Sequence, residues 1–115
     1  MHNLVYLIGR LAEEPEIKKF DDGKSLLTVN IAVQRNFKNE EGVYETDFIR
    51  CILWNEIANH ASEYCKKGDL VGVKGRIQTR SYEVDGEKKY ATEVVVDKVS
   101  FLASKSEPQQ ENERE

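Results

Sequence analysis

One change of hydrophobic period constrains this chain more than any other feature. In NEIANHASEYCKKGD, Asn55 to Asp69, the apolar positions Ile57, Ala58, Ala61, Tyr64 and Cys65 recur at helical spacing. Asn55 stands where an N-cap is expected, Lys66 and Lys67 fall in the last turn, and Gly68 ends a helix of about three turns. The segments on either side read as strands. Asn3 to Leu11 is an apolar run closed by Glu13-Glu14-Pro15. After the turn signal Asp21-Asp22-Gly23, Ser25 to Arg35 alternates, with Leu27, Val29, Ile31 and Val33 on one face and Thr28, Asn30 and Gln34 on the other. Asn36 to Val43 reads as a long hairpin loop and Tyr44 to Trp54 as a third strand. Leu70 to Glu83 is a fourth strand, Asp85-Gly86 a hairpin turn, and Lys88 to Leu102 a fifth strand.

The order β-β-β-α-β-β predicts an all-β chain: a five-stranded Greek-key barrel of the OB-fold type, with one short helix between strands three and four. A generic α+β sandwich is the alternative. The 115 residues suit one domain, expected over 1–103, followed by a short disordered acidic tail at 104–115, SKSEPQQENERE. No apolar run approaches the ~20 residues that span a bilayer, and MHNLVYLIGRL lacks the marks of a signal peptide. Cys51 and Cys65 fit reduced, buried thiols, so the expected location is cytoplasmic. With His60 they make only three soft ligands and no CxxC pair, so no metal is expected. His2 and His60 lack a flanking acid, and neither a P-loop nor GxSxG is present. No cofactor and no enzymatic activity are expected.

Strand alternation then sorts the chemistry. KGRIQTRSY, Lys74 to Tyr82, places Lys74, Arg76, Gln78, Arg80 and Tyr82 on one parity and Gly75, Ile77 and Thr79 on the other, toward the barrel interior. No acid occurs from Leu70 to Tyr82, although the chain carries a net charge of −4. The third strand repeats the pattern: Ile49, Cys51 and Leu53 suit a core, which leaves Phe48, Arg50, Ile52 and Trp54 outside. Phe37, with Arg35 and Lys38 nearby, adds an aromatic to the hairpin loop. Cations suit backbone phosphates and flat rings suit unpaired bases, so the combination points to single strands, whose base faces are open. The short helix offers no recognition face for duplex DNA. Gly72 and Gly75, inside a strand, indicate a bulge or a close backbone approach. A second class of reading makes the same aromatics the docking surface of an OB-fold protein-interaction adaptor of the replication-restart type, with weak DNA affinity.

NLVYLIGRL, LLTVNIAV, TDFIRCILWNEIANHASEYCKKGDLVGVKGRIQTRSY and YATEVVVDKV together resemble the bacterial single-stranded DNA-binding protein (SSB) family, over about Asn3 to Leu102. The resemblance implies an OB-fold that assembles as a homotetramer and wraps single-stranded DNA without sequence preference in replication, recombination and repair. Carried over, the base-stacking aromatics fall on Phe37, Phe48, Trp54 and Tyr82, and the phosphate contacts on Arg50, Lys67 and Arg80. Lys74 and Arg76 rest on parity alone, and Arg35 on its place beside Phe37. The chain departs from the family in three ways. Phe37, Phe48 and Tyr82 stand where tryptophan is common, which implies somewhat weaker stacking. Glu56 stands where lysine is common. The end, QQENERE, has no apolar anchor, so recruitment of repair enzymes through the C-terminal tip is not expected. This end suits a short paralogue of the kind found beside a full-length SSB in Gram-positive bacteria, often linked to DNA uptake, or one from a phage or mobile element.

Overall fold

The computed structural model describes residues 1–105. Its elements are β1 (Val5–Leu11), β2 (Lys18–Lys19), β3 (Ser25–Lys38), β4 (Tyr44–Trp54), α1 (Asn55–Tyr64), β5 (Leu70–Val84) and β6 (Glu87–Ala103). Five strands close a ring in the order β1-β5-β6-β4-β3, and β1 returns to β3 through the pairs Arg10–Ala32 and Leu11–Ile31. β4 and β6 run parallel, with Cys51 beside Val94 and Ile52 beside Val95, and the other pairings are antiparallel. This is the expected OB-fold barrel, with its helix between the third and fourth barrel strands. The two-residue β2, bonded to the start of β3, is an addition to the expected set.

Alternation fills the barrel. Leu27, Val29 and Ile31 meet Cys51 and Leu53, with Val71, Val73, Val94 and Val96 opposite. α1 brings Ala58 and Ala61 into the same core against β3, β4 and β6. Burial pushes the Cys51 thiol up to about 12, and burial with the Asp69 carboxylate raises that of Cys65. Both thiols are free, buried and protonated at neutral pH, hence unreactive.

The helix ends differ from expectation. Asn55 does not cap α1: its backbone is left-handed, with φ of 56°, and its side-chain Oδ1 accepts from the Ser25 N–H at 3.1 Å. The bond to β3 outcompetes the cap because Ser25 opens that strand directly beside the helix start. Lys66 and Lys67 lie past the last turn, in a turn closed by the Asp69 carboxylate on the Lys66 N–H.

A second difference concerns β5. Val71, Val73 and Gly75 face the interior as expected, but Ile77 is 46% exposed and Thr79 is exposed too. β5 pairs with β1 only from Leu70 to Gly75, and beyond that its one neighbour is β6. From Thr79 onward β5 and β6 form a two-stranded arm leaving the barrel, and such a ribbon has little to bury either face against. Its tip is the expected Asp85-Gly86 turn, with φ of 52° and 81°, the left-handed pair that a two-residue hairpin requires.

Gly75 marks the departure point. The β5–β6 register shifts between Lys74 and Gly75, and a Cβ there would run into the Val95 carbonyl. Gly75→Ala is therefore expected to destabilise the fold by roughly 1–3 kcal/mol. Urea denaturation measures this, and an unchanged midpoint would show that the bulge relaxes freely.

Candidate nucleic-acid interface

Register places the candidate side chains in rows across the outer wall. One row runs Thr28 (β3), Ile52 (β4), Val95 (β6), Arg76 (β5). The next carries Asn30 and Arg50, with Glu93 opposite Gln78. Arg80 and Tyr82 continue β5 along the arm, opposite Ala91 and Lys89. Phe48 stands midway along β4 and Trp54 at its end, beside Ala32 and Leu26, about 20 Å apart at ~3.3 Å per residue. Phe48 is 64% exposed and Trp54 41%. Phe48 is the more open of the two because Ala32, its neighbour on β3, is too small to cover it. Phe48, Arg50, Trp54, Arg76, Arg80 and Tyr82 thus share one continuous face.

The remaining candidates lie elsewhere. Lys74 belongs to the same parity but falls in a lower row, between Tyr6 of β1 and Lys98 of β6. Phe37 is exposed at the far end of the β3–β4 hairpin, in an irregular stretch between Gln34 and Lys38. It belongs to the strand rather than to the loop, which reduces to a turn closed by Asn39: its N–H donates to the Val43 carbonyl, and its Oδ1 accepts from Glu41 and Val43. Lys67 occupies the turn after α1. That turn is tied to β1 by the Gly68 N–H on the Leu11 carbonyl and by an Arg10 Nη1 bond to the Gly68 carbonyl at 2.9 Å.

Arg35 differs most from its expected role. It shares the parity of Val33 and Asp47, on the other side of the β3–β4 ribbon from Phe48 and Arg50. Its guanidinium forks onto Asp47 at 3.0 Å and 3.0 Å and donates to Glu45 at 2.8 Å. These contacts raise the Arg35 pKa and, through the same hydrogen bond, hold the Asp47 carboxyl below its usual range. Two carboxylates on one guanidinium leave a local negative excess, unsuited to phosphate.

Two residues on or beside the face went unrecognised in the sequence. Arg10 lies in the row of Ala32 and Phe48, and it was overlooked because β1 reads as a core strand. Glu93 is 2% exposed and accepts from Arg50 Nε at 3.0 Å and from Arg80 Nε at 3.1 and 3.2 Å. The cationic face is therefore not free of acid: β5 supplies none, but β6 supplies one beneath two arginines. The signal for it was an acid opening an otherwise apolar run, Glu93-Val94-Val95-Val96. Arg80 also stacks its guanidinium over Tyr82, 5.4 Å from the ring centre.

The model of the single-strand binding protein family matches residues 2–102. The chain belongs to that family. Among the relatives of this SSB-family chain, single-stranded DNA-binding protein B of Bacillus subtilis (strain 168) is 46% identical over 106 residues, which cover 91% of the chain and 94% of that relative. Single-stranded DNA-binding protein 3 of Listeria innocua is also 46% identical over 106 residues, but there the match spans 66% of the relative's length. Among solved structures, a deletion mutant of the single-stranded DNA binding protein from Thermus aquaticus superposes with a TM-score of 0.73 at 32% identity, covering 88% of this chain and 50% of that one. Among the described residues of the SSB-family chain, no helix is long and apolar enough to cross a membrane, and no group of three His, Cys, Asp or Glu could hold a metal.

Proposed function

We propose that this chain binds single-stranded DNA without sequence specificity, stacking bases on Phe48, Trp54 and Tyr82 and seating phosphates on Arg50, Arg76 and Arg80. Phe37 extends the path along the hairpin, and Lys74 and Lys67 flank it. Arg35 is left out of the path because Asp47 and Glu45 already occupy it. The observation that carries the reading is the second half of β4: Phe48 and Trp54 are exposed with Arg50 between them, while Ile49, Cys51 and Leu53 face the core. Exposed rings in a row of this kind want a flat partner. Protection of single strands in replication, recombination, repair or DNA uptake, in the cytoplasm, is the role that the family membership supports.

Self-association belongs to the same proposal, as a homotetramer or a dimer. Leu4, Tyr6 and Ile8 are exposed on or just before β1. Among the described residues, β1 pairs with β3 only at Arg10 and Leu11 and Gly9 packs against Ala32, so Val5 to Ile8 present an open strand edge. A second copy would cover both.

Trp54 is the only tryptophan, so its fluorescence reports on one site. Titration with dT oligomers of increasing length should quench it strongly. The saturating length should exceed one barrel, matched duplex should have little effect, and affinity should fall as salt rises. Absence of quenching at low salt would remove Trp54 from the DNA path and favour the protein-adaptor reading.

A further inference from the structure

Among the described residues, Glu93 is the one nearly buried carboxylate on the outer wall, and a DNA site on this face leaves it without a role so far. Its two oxygens accept from Arg50, 43 residues away in sequence, and from Arg80, 13 residues away. Both arginines donate through Nε, and among the described residues their Nη groups make no hydrogen bond. Each side chain remains roughly half exposed. A guanidinium held by Nε presents its terminal nitrogens as a planar fork, the shape that matches a phosphate. Two guanidiniums this close repel unless an anion lies between them.

We propose that Glu93 is a positioning residue for phosphate binding: it clamps Arg50 and Arg80 side by side, forks outward, before any nucleic acid arrives. The clamp lowers the local charge by one, which on its own weakens attraction for a polyanion. It compensates by fixing two long side chains that would otherwise lose rotamer freedom on binding. The inference rests on the single-strand reading above.

The test is Glu93→Gln, which keeps shape and one acceptor but cannot serve two guanidiniums. Affinity for a labelled dT oligomer is expected to fall about tenfold, although the chain becomes more positive. The same substitution in an Arg50→Ala/Arg80→Ala background should lower affinity no further. Tighter binding by Glu93→Gln, with a steeper salt dependence, would show that the acid only dilutes charge and would overturn the proposal. An equal loss in the double-alanine background would overturn it as well, since the effect would then bypass the arginines. Should Glu93→Gln not fold by circular dichroism, Arg80→Lys carries the test. Its single ammonium cannot hold Glu93 and also offer a fork, so its affinity should fall nearly as far as that of Arg80→Ala; wild-type affinity would defeat the clamp. Failure of the unaltered chain to bind dT would instead defeat the single-strand reading itself.

Discussion

Phe48→Ala and Trp54→Ala, combined in one chain, lower affinity for oligo-dT by ~2–6 kcal/mol, roughly 30-fold to more than 10⁴-fold, at ~1–3 kcal/mol per stacked base. The two rings stand six residues apart along β4, about 20 Å, too far to share a base. The separate losses should therefore add to within about 0.5 kcal/mol. Both rings are substantially exposed, so their removal should change folding stability little. Anisotropy of a fluorescently labelled dT oligomer measures the loss without relying on Trp54. Undiminished affinity in the double variant would mean that the rings cover a protein surface, either another copy or a partner.

Leu27→Ala has its large effect on a different link of the chain from sequence to function. Leu27 is fully buried, paired across the barrel wall with Leu53. Truncation should cost ~2–5 kcal/mol, the lost transfer energy plus the cavity left behind. Against a total of about 5–15 kcal/mol for a domain of this kind, the folded state becomes marginal. Yet Leu27 faces inward while the candidate site lies on the outer parity of the same strands. Affinity per folded molecule should therefore stay at the wild-type level. Urea denaturation gives the first quantity, and anisotropy at a temperature where the variant is folded gives the second. A stable variant, or one that folds but no longer binds, would show that the two faces are not independent.

The contrast between these variants shows what was legible along the chain. Phe48, Arg50 and Trp54 were placed outside by the demand that Ile49, Cys51 and Leu53 face a core, and the barrel puts them there. The strand-helix-strand order read from Asn55 to Cys65 led to the OB-fold architecture for the same reason. Periodicity fails where the surroundings stop enforcing it. Ile77 keeps the parity of Val71 and Val73 but loses their environment once β5 passes Gly75 and parts from β1. Asn55 looks like a cap until Ser25, thirty residues back, takes its side chain. Residues 106–115, most of the expected acidic tail, lie outside the described residues.

By itself, the sequence determined the five main strands, the helix, and which side chains look inward wherever the barrel closes around a strand. Those properties depend on residues a few positions apart, and hydrophobic burial acts on them wherever the chain goes. Only the tertiary structure decided who stands beside whom. It turned Arg35 away from the aromatic face and onto Asp47 and Glu45, brought Arg10 into the row of Phe48, and set Glu93 beneath both Arg50 and Arg80. The physical reason is that neighbours across a sheet follow strand order and register. Here the parallel pairing of β4 with β6 joins segments that no local pattern connects.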